Sequence, residues 1–155
     1  MTTLEMEIAI MSWLNPRANT VVPNVSWGLN IHECDILSLT KAGYATEVEI
    51  KISKADLLKD FQKRHGHSND KIKYFWYAVP EKLKEIALEV IPARAGLLVI
   101  SKHEPSWNVT RVRPAKATGK YKWTEQERQK LQRLGALRIL GLKKKLAKFV
   151  RKNDD

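Results

Sequence analysis

The chain has 155 residues and a single cysteine, which excludes an intramolecular disulfide, and it is long enough to bury the core of one domain. Its net charge of +11 favours a polyanionic partner, and nucleic acid comes before a membrane because no basic amphipathic segment opens the chain. No apolar run approaches the roughly 20 residues that span a bilayer, and the N-terminus lacks a basic signal region, so we expect a soluble, unprocessed, cytoplasmic protein.

The first predicted element is a helix over residues 2–14. Thr2 and Glu5 have the spacing of a capping box, and Pro16 ends the element. The predicted buried stripe consists of Leu4, Ile8, Met11 and Leu14. At about 100° per residue Glu7 falls on this stripe and would point inward, although an edge position with its carboxylate in solvent fits equally well.

A strand and a β-hairpin follow. Residues 20–29 are rich in valine and predict a strand, which Pro23 confines to an edge position or a bulge. Two apolar-rich runs, 34–40 and 44–52, flank a short turn in which Gly43 supplies the left-handed backbone of a three-residue hairpin loop. We expect the first strand to pair with this hairpin.

The turn sets the register of the hairpin. If Thr40 faces Tyr44, then Asp35 lies opposite Glu49. Side chains alternate along a strand, so one face carries Glu33, Asp35, Glu47, Glu49 and Lys51, and the other carries Cys34, Ile36, Val48, Ile50 and Ile52. Carboxylates directly across a strand pair repel unless a cation lies between them, so the acidic face is either exposed to solvent or a metal site. The apolar position of Cys34 makes it a packing residue rather than a nucleophile.

A second helix is predicted from residue 54 to about His65. Ser53 has the position of an N-cap, and Gly66 stops the helix. Asp56 and Asp60 lie four residues apart on it. Capping and a solvated helix face account for these two acids better than a second carboxylate pair does.

The middle of the chain predicts the rest of a sheet. Residues 73–80 form a nearly unbroken apolar run, typical of a strand covered on both faces, and the preceding helix makes it parallel to strand 44–52. A short helix over 81–90, a buried strand over 96–101 and an edge strand over 107–113 follow. The predicted fold class is therefore α/β, with a mixed sheet that joins an antiparallel hairpin to a parallel βαβ unit.

The last part of the chain predicts a basic amphipathic helix. Thr124 and Glu127 form a capping box, leucines recur at helical spacing, and Gly135 or Gly141 marks a possible break. We divide the single domain into a core, 1–115, and this helical extension, 116–155. The candidate DNA contacts are Lys63, Arg64, Lys71, Lys143, Lys144, Lys145 and Lys148. We interpret Trp107 and Trp123 as packing residues rather than base-stacking platforms.

The acidic face of the hairpin suggests a chemistry. Magnesium takes oxygen ligands, usually one or two carboxylates with water and substrate phosphate, and Asp35 and Glu49 meet that requirement. The main-chain carbonyl of Ile50 is a further candidate ligand. Lys51 projects from the same face, where it could orient or deprotonate an attacking water and offset phosphate charge.

These residues resemble a known family. Asp35 in the run 34–37, the Glu49-Ile50-Lys51 triplet in the run 47–56, and Asp60 resemble the PD-(D/E)XK nuclease superfamily, with its restriction-endonuclease-like fold. The runs 75–80 and 96–97 and the basic C-terminal helix extend the similarity toward DNA-repair proteins of the MmcB type. Cys34 stands where many superfamily members have proline.

The resemblance implies a catalytic set of Asp35, Glu49, Lys51 and Glu7, with Mg²⁺ as cofactor and Mn²⁺ as a substitute. The implied function is a metal-dependent DNA nuclease in repair, recombination or phage DNA metabolism. Two alternatives stay open: a DNA-binding module that keeps the fold with little or no catalysis, and an RNA-binding protein without a metal site. A homodimer is compatible with the sequence and is not determined by it.

Overall fold

The computed structural model describes residues 1–26, 28–60 and 69–153 and has a six-stranded mixed sheet flanked by helices, which confirms the predicted α/β class. The strands are β1 (Thr20–Val25), β2 (Cys34–Leu39), β3 (Ala45–Ile50), β4 (Ile72–Pro80), β5 (Gly96–His103) and β6 (Ser106–Arg113). The helices are α1 (Thr3–Trp13), α2 (Lys54–Asp60), α3 (Lys84–Val90) and α4 (Glu125–Asn153), with a 3₁₀ turn, Glu81–Leu83, before α3.

The strands lie side by side in chain order. β1, β2 and β3 are antiparallel, β3, β4 and β5 are parallel, and β6 closes the far edge antiparallel to β5. Ile36 pairs with Val48 and Leu37 with Glu47, so the predicted hairpin register is confirmed. Gly43 has a φ of 90°, as the turn requires. Pro23 lies in β1, an edge strand, where its missing N–H costs no ladder bond.

Helices cover both faces of the sheet. α1 packs on one face, in a core that includes Ile36, Val48 and Ile50. On the other face, α4 packs over β1 and β2, while α2 and α3 pack over β4 and β5. The predicted continuation of α2 to His65 lies outside the described residues.

The buried face of α1 differs from the prediction. The capping box of Thr2 and Glu5 is present, and Leu14 is buried as predicted, with Met11 partly buried against the same core. Leu4 and Ile8, however, are exposed, by 62% and 47%, and the buried residues of the helix are Met6, Ala9 and Ile10. Both sets of residues have helical spacing, so periodicity alone does not choose between them. The packing of Trp13 edge-on against Trp76 of β4, with ring centroids 5.6 Å apart, is consistent with the observed choice.

Cys34 also lies on a different side from the one predicted. It is buried with Leu37 and Leu39 in the core beneath α4, not with Ile36 on the opposite face. The adjacent strand is irregular at the same level, because Asn24 has a φ of 54° and interrupts the regular pleat of β1. Val22 and Val25, on either side of Asn24 in β1, therefore face the same core although they lie three residues apart.

α4 is continuous, so the predicted break at Gly135 or Gly141 is wrong. Gly135 lies against β1, where a Cβ would come within 3.2 Å of Val22, so its small size serves packing. Gly141 lies past this contact, and a solvated helix tolerates one glycine at a cost of about 1 kcal/mol. Leu131 and Leu134 are buried, whereas the apolar residues from Leu137 onward are exposed.

Candidate metal centre

Asp35 and Glu49 line one cleft of about 370 Å³ at the end of the hairpin opposite its turn. Both residues therefore contribute to one site, at the end of the sheet where β2 begins and β3 ends. The other residues of the cleft are Thr3, Ile50, Lys51, Ile52, Asp56, Lys59 and Asp60. Four carboxylates and two ammonium groups line this cleft, which gives a formal charge of −2 in a protein whose net charge is +11.

A backbone hydrogen bond orients Asp35. Its Oδ2 accepts from the N–H of Ile50 at 2.7 Å, so the Asp35 side chain bridges from the start of β2 to the end of β3. Because a backbone amide is fixed by the strand, this bond holds the carboxylate next to Glu49 before any ligand arrives. Ile50 itself lines the cleft, in keeping with the proposed carbonyl ligand.

Glu49 and Lys51 form a buried ion pair, with Lys51 Nζ 2.8 Å from Glu49 Oε1. Glu49 is 3% exposed and Lys51 is 5% exposed, so this part of the hairpin face is not the solvent-facing strand of the alternative interpretation. Burial alone would lower the pKa of Lys51, but the carboxylates of Glu49 and Asp60 outweigh it and raise that pKa. The lysine is therefore held as an ammonium group.

Asp60 belongs to this site, and its interpretation as part of a solvated helix face is wrong. It is 2% exposed, its Oδ1 lies 2.9 Å from Lys51 Nζ, and its Oδ2 accepts a hydrogen bond from the Tyr77 hydroxyl at 2.6 Å. The available signal was its position three residues after Leu57, which places both on the buried face of α2. Burial raises the pKa of Tyr77, and the bond to Asp60 adds to this, so its hydroxyl stays protonated as a donor.

Glu47 does not line this cleft. It is fully buried, and its Oε2 lies 2.7 Å from Nε2 of His32 in the loop before β2. Burial, with Glu47 nearby, raises the pKa of the Cys34 thiol, which agrees with its interpretation as a packing residue rather than a nucleophile.

Arg138 connects α4 to the acidic residues, a relationship that the sequence did not reveal. A second cleft of about 370 Å³ contains Asp35, Glu49 and Arg138 together. The Arg138 guanidinium donates from Nη2 to the carbonyl of Asn24 and to Ser26 Oγ, and its buried Nε has no hydrogen-bond partner among the described residues. α4 therefore runs along β1 from the hairpin turn, where Arg128 donates to the carbonyl of Thr40, toward the acidic end of the sheet.

The fold has a structural relative, but no family assignment follows from the comparisons. No protein-family model and no curated protein matches the chain. The solved structure of the SPO1766 protein of unknown function from Silicibacter pomeroyi is similar, with a TM-score of 0.63 and 19% sequence identity over 95% of this chain and 92% of that one. At this identity the likeness establishes the shared fold alone.

The remaining predicted site residues lie outside the acidic cleft. Glu7 is half-buried on α1, one turn after the cleft residue Thr3. Lys63 and Arg64 lie outside the described residues. Lys71 is held by an ion pair with Glu127 and by the carbonyl of Leu29, so its charge is already engaged.

The basic helix presents its predicted contacts to solvent. Lys143, Lys144, Lys145 and Lys148 are all exposed on the distal half of α4. Trp123 is a packing residue, as interpreted, with its indole N–H donating to the carbonyl of Lys71 at 2.9 Å. Within the described ranges, α4 and the other helices all lack a stretch apolar and long enough to cross a bilayer.

Proposed function

We propose that this chain is a divalent-metal-dependent DNA nuclease with a PD-(D/E)XK-type site. The observation that carries the proposal is the convergence of Asp35, Glu49 and Lys51 on one negatively charged cleft of a strongly basic protein. Acids that served only as a solvated strand face would be exposed, and Glu49 is buried. A polyanionic substrate would approach such a cleft only if a cation offset its charge.

The donor set fits a hard cation. Asp35 and Glu49 supply carboxylate oxygens and Ile50 a main-chain carbonyl, which are the ligand types that Mg²⁺ or Mn²⁺ takes beside water and phosphate. When bound there, the metal would polarise a phosphoryl oxygen and lower the pKa of a coordinated water. Glu49 would turn from Lys51 to the metal, because both compete for the same carboxylate.

Lys51 is placed to act on the water and the phosphate. Its ammonium group is shared between Glu49 and Asp60, so the second partner holds it in the cleft when Glu49 binds metal. As a cation it would donate hydrogen bonds to the attacking water and offset charge that develops on the scissile phosphate. Asp60 and Tyr77 act by positioning this lysine.

α4 would supply the DNA contacts. Arg138 shares a cleft with Asp35 and Glu49, and its buried Nε is a donor that a phosphate oxygen would satisfy. The exposed lysines follow Arg138 along the same helix, so phosphate binding would continue from the cleft along the basic arm. In this proposal the protein acts on DNA in the cytoplasm, in repair, recombination or phage DNA metabolism.

A cleavage panel tests the proposal. Plasmid, single-stranded and branched DNA are incubated with Mg²⁺, Mn²⁺ or a chelator, using the wild-type chain and the Asp35→Asn and Glu49→Gln variants. We expect metal-dependent cleavage by the wild type and a loss of about 100-fold or more in each variant, with DNA affinity largely retained. Full activity in Glu49→Gln would show that the cleavage came from a contaminant or another site.

One observation favours a second candidate, a DNA-binding module without catalysis. The Lys51 ammonium group already contacts one oxygen of the Glu49 carboxylate to which the metal would bind. If this pair never opens, the protein would bind DNA in a salt-dependent way and leave it intact with every metal. Calorimetric titration of Mg²⁺ into the wild type and Glu49→Gln distinguishes the two, because only the nuclease proposal requires binding that depends on Glu49.

A further inference from the structure

A second group of potential ligands lies outside the cleft that contains Lys51 and Asp60. His32, Cys34 and Glu47 each offer one ligand atom, and these three atoms lie within 4.8 Å of one another. Glu47 is fully buried, Cys34 is 3% exposed, and the side chain of His32 is 7% exposed. The nuclease proposal uses none of the three.

The local fold brings the three residues together. His32 lies in the loop before β2 and Cys34 is the first residue of β2, while Glu47 lies in the middle of β3, paired with Leu37. In a regular pleat Cys34 would point to the opposite face from Glu47, but it is buried on the side of Leu37. This departure from the regular alternation of the strand brings the cysteine close to Glu47.

We propose that His32, Cys34 and Glu47 form a zinc site, separate from the magnesium site of the proposed nuclease. Imidazole nitrogen, thiolate sulfur and carboxylate oxygen are the three ligand types that zinc takes in proteins. Thiolate is a poor ligand for magnesium, so the two sites would select different metals. Three protein ligands leave a fourth position for water.

The surroundings allow an ion to enter. Cys34 lines the cleft of about 370 Å³ that also contains Asp35 and Arg138, so the cluster has an open side. His32 Nε2 and Glu47 Oε2 are now 2.7 Å apart, joined by a hydrogen bond. Around a tetrahedral zinc with bonds of about 2.05 Å these two atoms would lie about 3.3 Å apart, so the ligands must separate by roughly half an ångström. His32 precedes β2 and can make this movement without breaking the strand ladder.

Charge also balances in the loaded site. Zinc carries two positive charges, and the Cys34 thiolate and Glu47 carboxylate carry two negative ones. With His32 neutral, binding releases the thiol proton to solvent, moves the proton of the His32–Glu47 hydrogen bond from Nε2 to Nδ1 of His32, and leaves a neutral buried cluster. The zinc would link Cys34, the first residue of β2, to Glu47 of β3. Cys34 immediately precedes Asp35 in the chain.

Metal analysis of the purified full-length chain tests the inference. The protein is loaded with Zn²⁺, dialysed against metal-free buffer and assayed for bound zinc; the Co²⁺-loaded form is examined for thiolate-to-metal absorption. We expect one zinc per chain in the wild type and in Asp35→Asn, and an affinity at least about 100-fold lower in Cys34→Ser and Glu47→Gln. The Co²⁺ spectrum should show thiolate ligation in Asp35→Asn and none in Cys34→Ser.

The controls keep this inference separate from the nuclease proposal. Cys34→Ser is nearly isosteric, and its circular dichroism checks folding; His32→Gln replaces it if the serine variant fails to fold. The inference is overturned if the wild type retains no zinc, or if Cys34→Ser retains as much. Zinc binding without DNA cleavage would leave the inference standing and remove the nuclease proposal, and cleavage without zinc binding would do the reverse.

Discussion

Lys51 and Asp60 form an ion pair between the residue that follows β3 and the last described residue of α2, with Nζ 2.9 Å from Oδ1 and both residues buried. The pair fixes the position of the Lys51 ammonium group independently of Glu49. The other carboxylate oxygen of Asp60 accepts a hydrogen bond from the hydroxyl of Tyr77 in β4. The sheet therefore holds the aspartate in position. A chain of contacts therefore runs from β4 through α2 to the acidic cleft.

Asp60→Asn should impair cleavage without weakening DNA binding. Without the charge of Asp60, the Lys51 ammonium group depends on Glu49 alone and competes more strongly with the metal. We expect cleavage to fall by about tenfold or more at low Mg²⁺, with partial recovery at high Mg²⁺. The measurement is the Mg²⁺ dependence of cleavage at saturating DNA. Asp56→Asn, in the same cleft and one helical turn earlier, is the control; an equal effect there would contradict a specific role for Asp60.

Tyr77→Phe should reduce stability while preserving the fold. The substitution removes the 2.6 Å hydrogen bond to Asp60 and leaves the ring in its edge-on contact with Phe75. Loss of one buried hydrogen bond to a charged group costs about 1.5–3 kcal/mol of unfolding free energy. Urea denaturation followed by circular dichroism measures it, and an unchanged midpoint would show that water replaces the hydroxyl.

Two glycine substitutions should act in opposite directions. A Cβ at Gly96 would come within 2.2 Å of the Trp76 ring, so Gly96→Ala should destabilise the protein by about 1–3 kcal/mol. At Gly141 no described atom lies within 4 Å of the added Cβ, and alanine in a helix should stabilise it by about 0.5–1 kcal/mol. Denaturant unfolding of both variants is the measurement. If both variants changed the free energy of unfolding in the same direction, the packing around Trp76 or the helicity of α4 would differ from that described.

Neutralising the distal lysines of α4 should flatten the salt dependence of DNA binding. Residues 120–152 contain twelve Lys and Arg and two acids, Glu125 and Glu127. Each lost phosphate contact should reduce the slope of log affinity against log salt by about 0.9 for duplex DNA. The variant changes Lys143, Lys144, Lys145 and Lys148 to Gln, and its affinity is measured at several salt concentrations. Cleavage at saturating DNA should persist; an unchanged slope in a folded variant would place the DNA-binding surface elsewhere.

Glu127 should make stability depend on pH. Burial alone would raise the pKa of Glu127, but bonds from Lys71, the Thr124 amide and the Tyr121 hydroxyl outweigh it and lower that pKa below the usual 4.5. A lowered pKa in the folded state means that the ionised carboxylate stabilises the fold above pH 4.5, and that this contribution disappears as the pH falls through the folded-state pKa. Glu127→Gln should therefore lower the melting temperature at pH 7 and make little difference at strongly acidic pH. An equal decrease in melting temperature at both pH values would contradict a lowered pKa of Glu127 in the folded state.

Local patterns predicted most of the fold. Gly43 and the alternating strands gave the correct hairpin register, with Ile36 opposite Val48 and Leu37 opposite Glu47. A turn and the two-residue alternation of a strand depend on residues that are close together in the sequence. They can therefore be recognised without knowledge of the rest of the chain.

The errors have a common physical origin in tertiary packing. The buried face of α1 packs against distant Trp76, and Cys34 packs in the core beneath α4, which is formed by residues far away in the sequence. From the sequence Asp60 resembles a surface residue, and only the folded structure shows that Lys51 and Tyr77 are its partners. Charged residues are normally exposed, so burial of a paired acid cannot be inferred until its partner is located.

In the proposed nuclease, the length of α4 has a consequence for the size of the DNA substrate. Packing against β1 extends to about Arg138, and the helix continues for another 15 residues to Asn153. At about 1.5 Å per residue this free arm is roughly 22 Å long, the length of about six or seven base pairs of a duplex lying along it. A DNA substrate that ends close to the scissile phosphate would offer no phosphates to this arm. Cleavage should therefore depend more on the length of the oligonucleotide on one side of the cut than on the other.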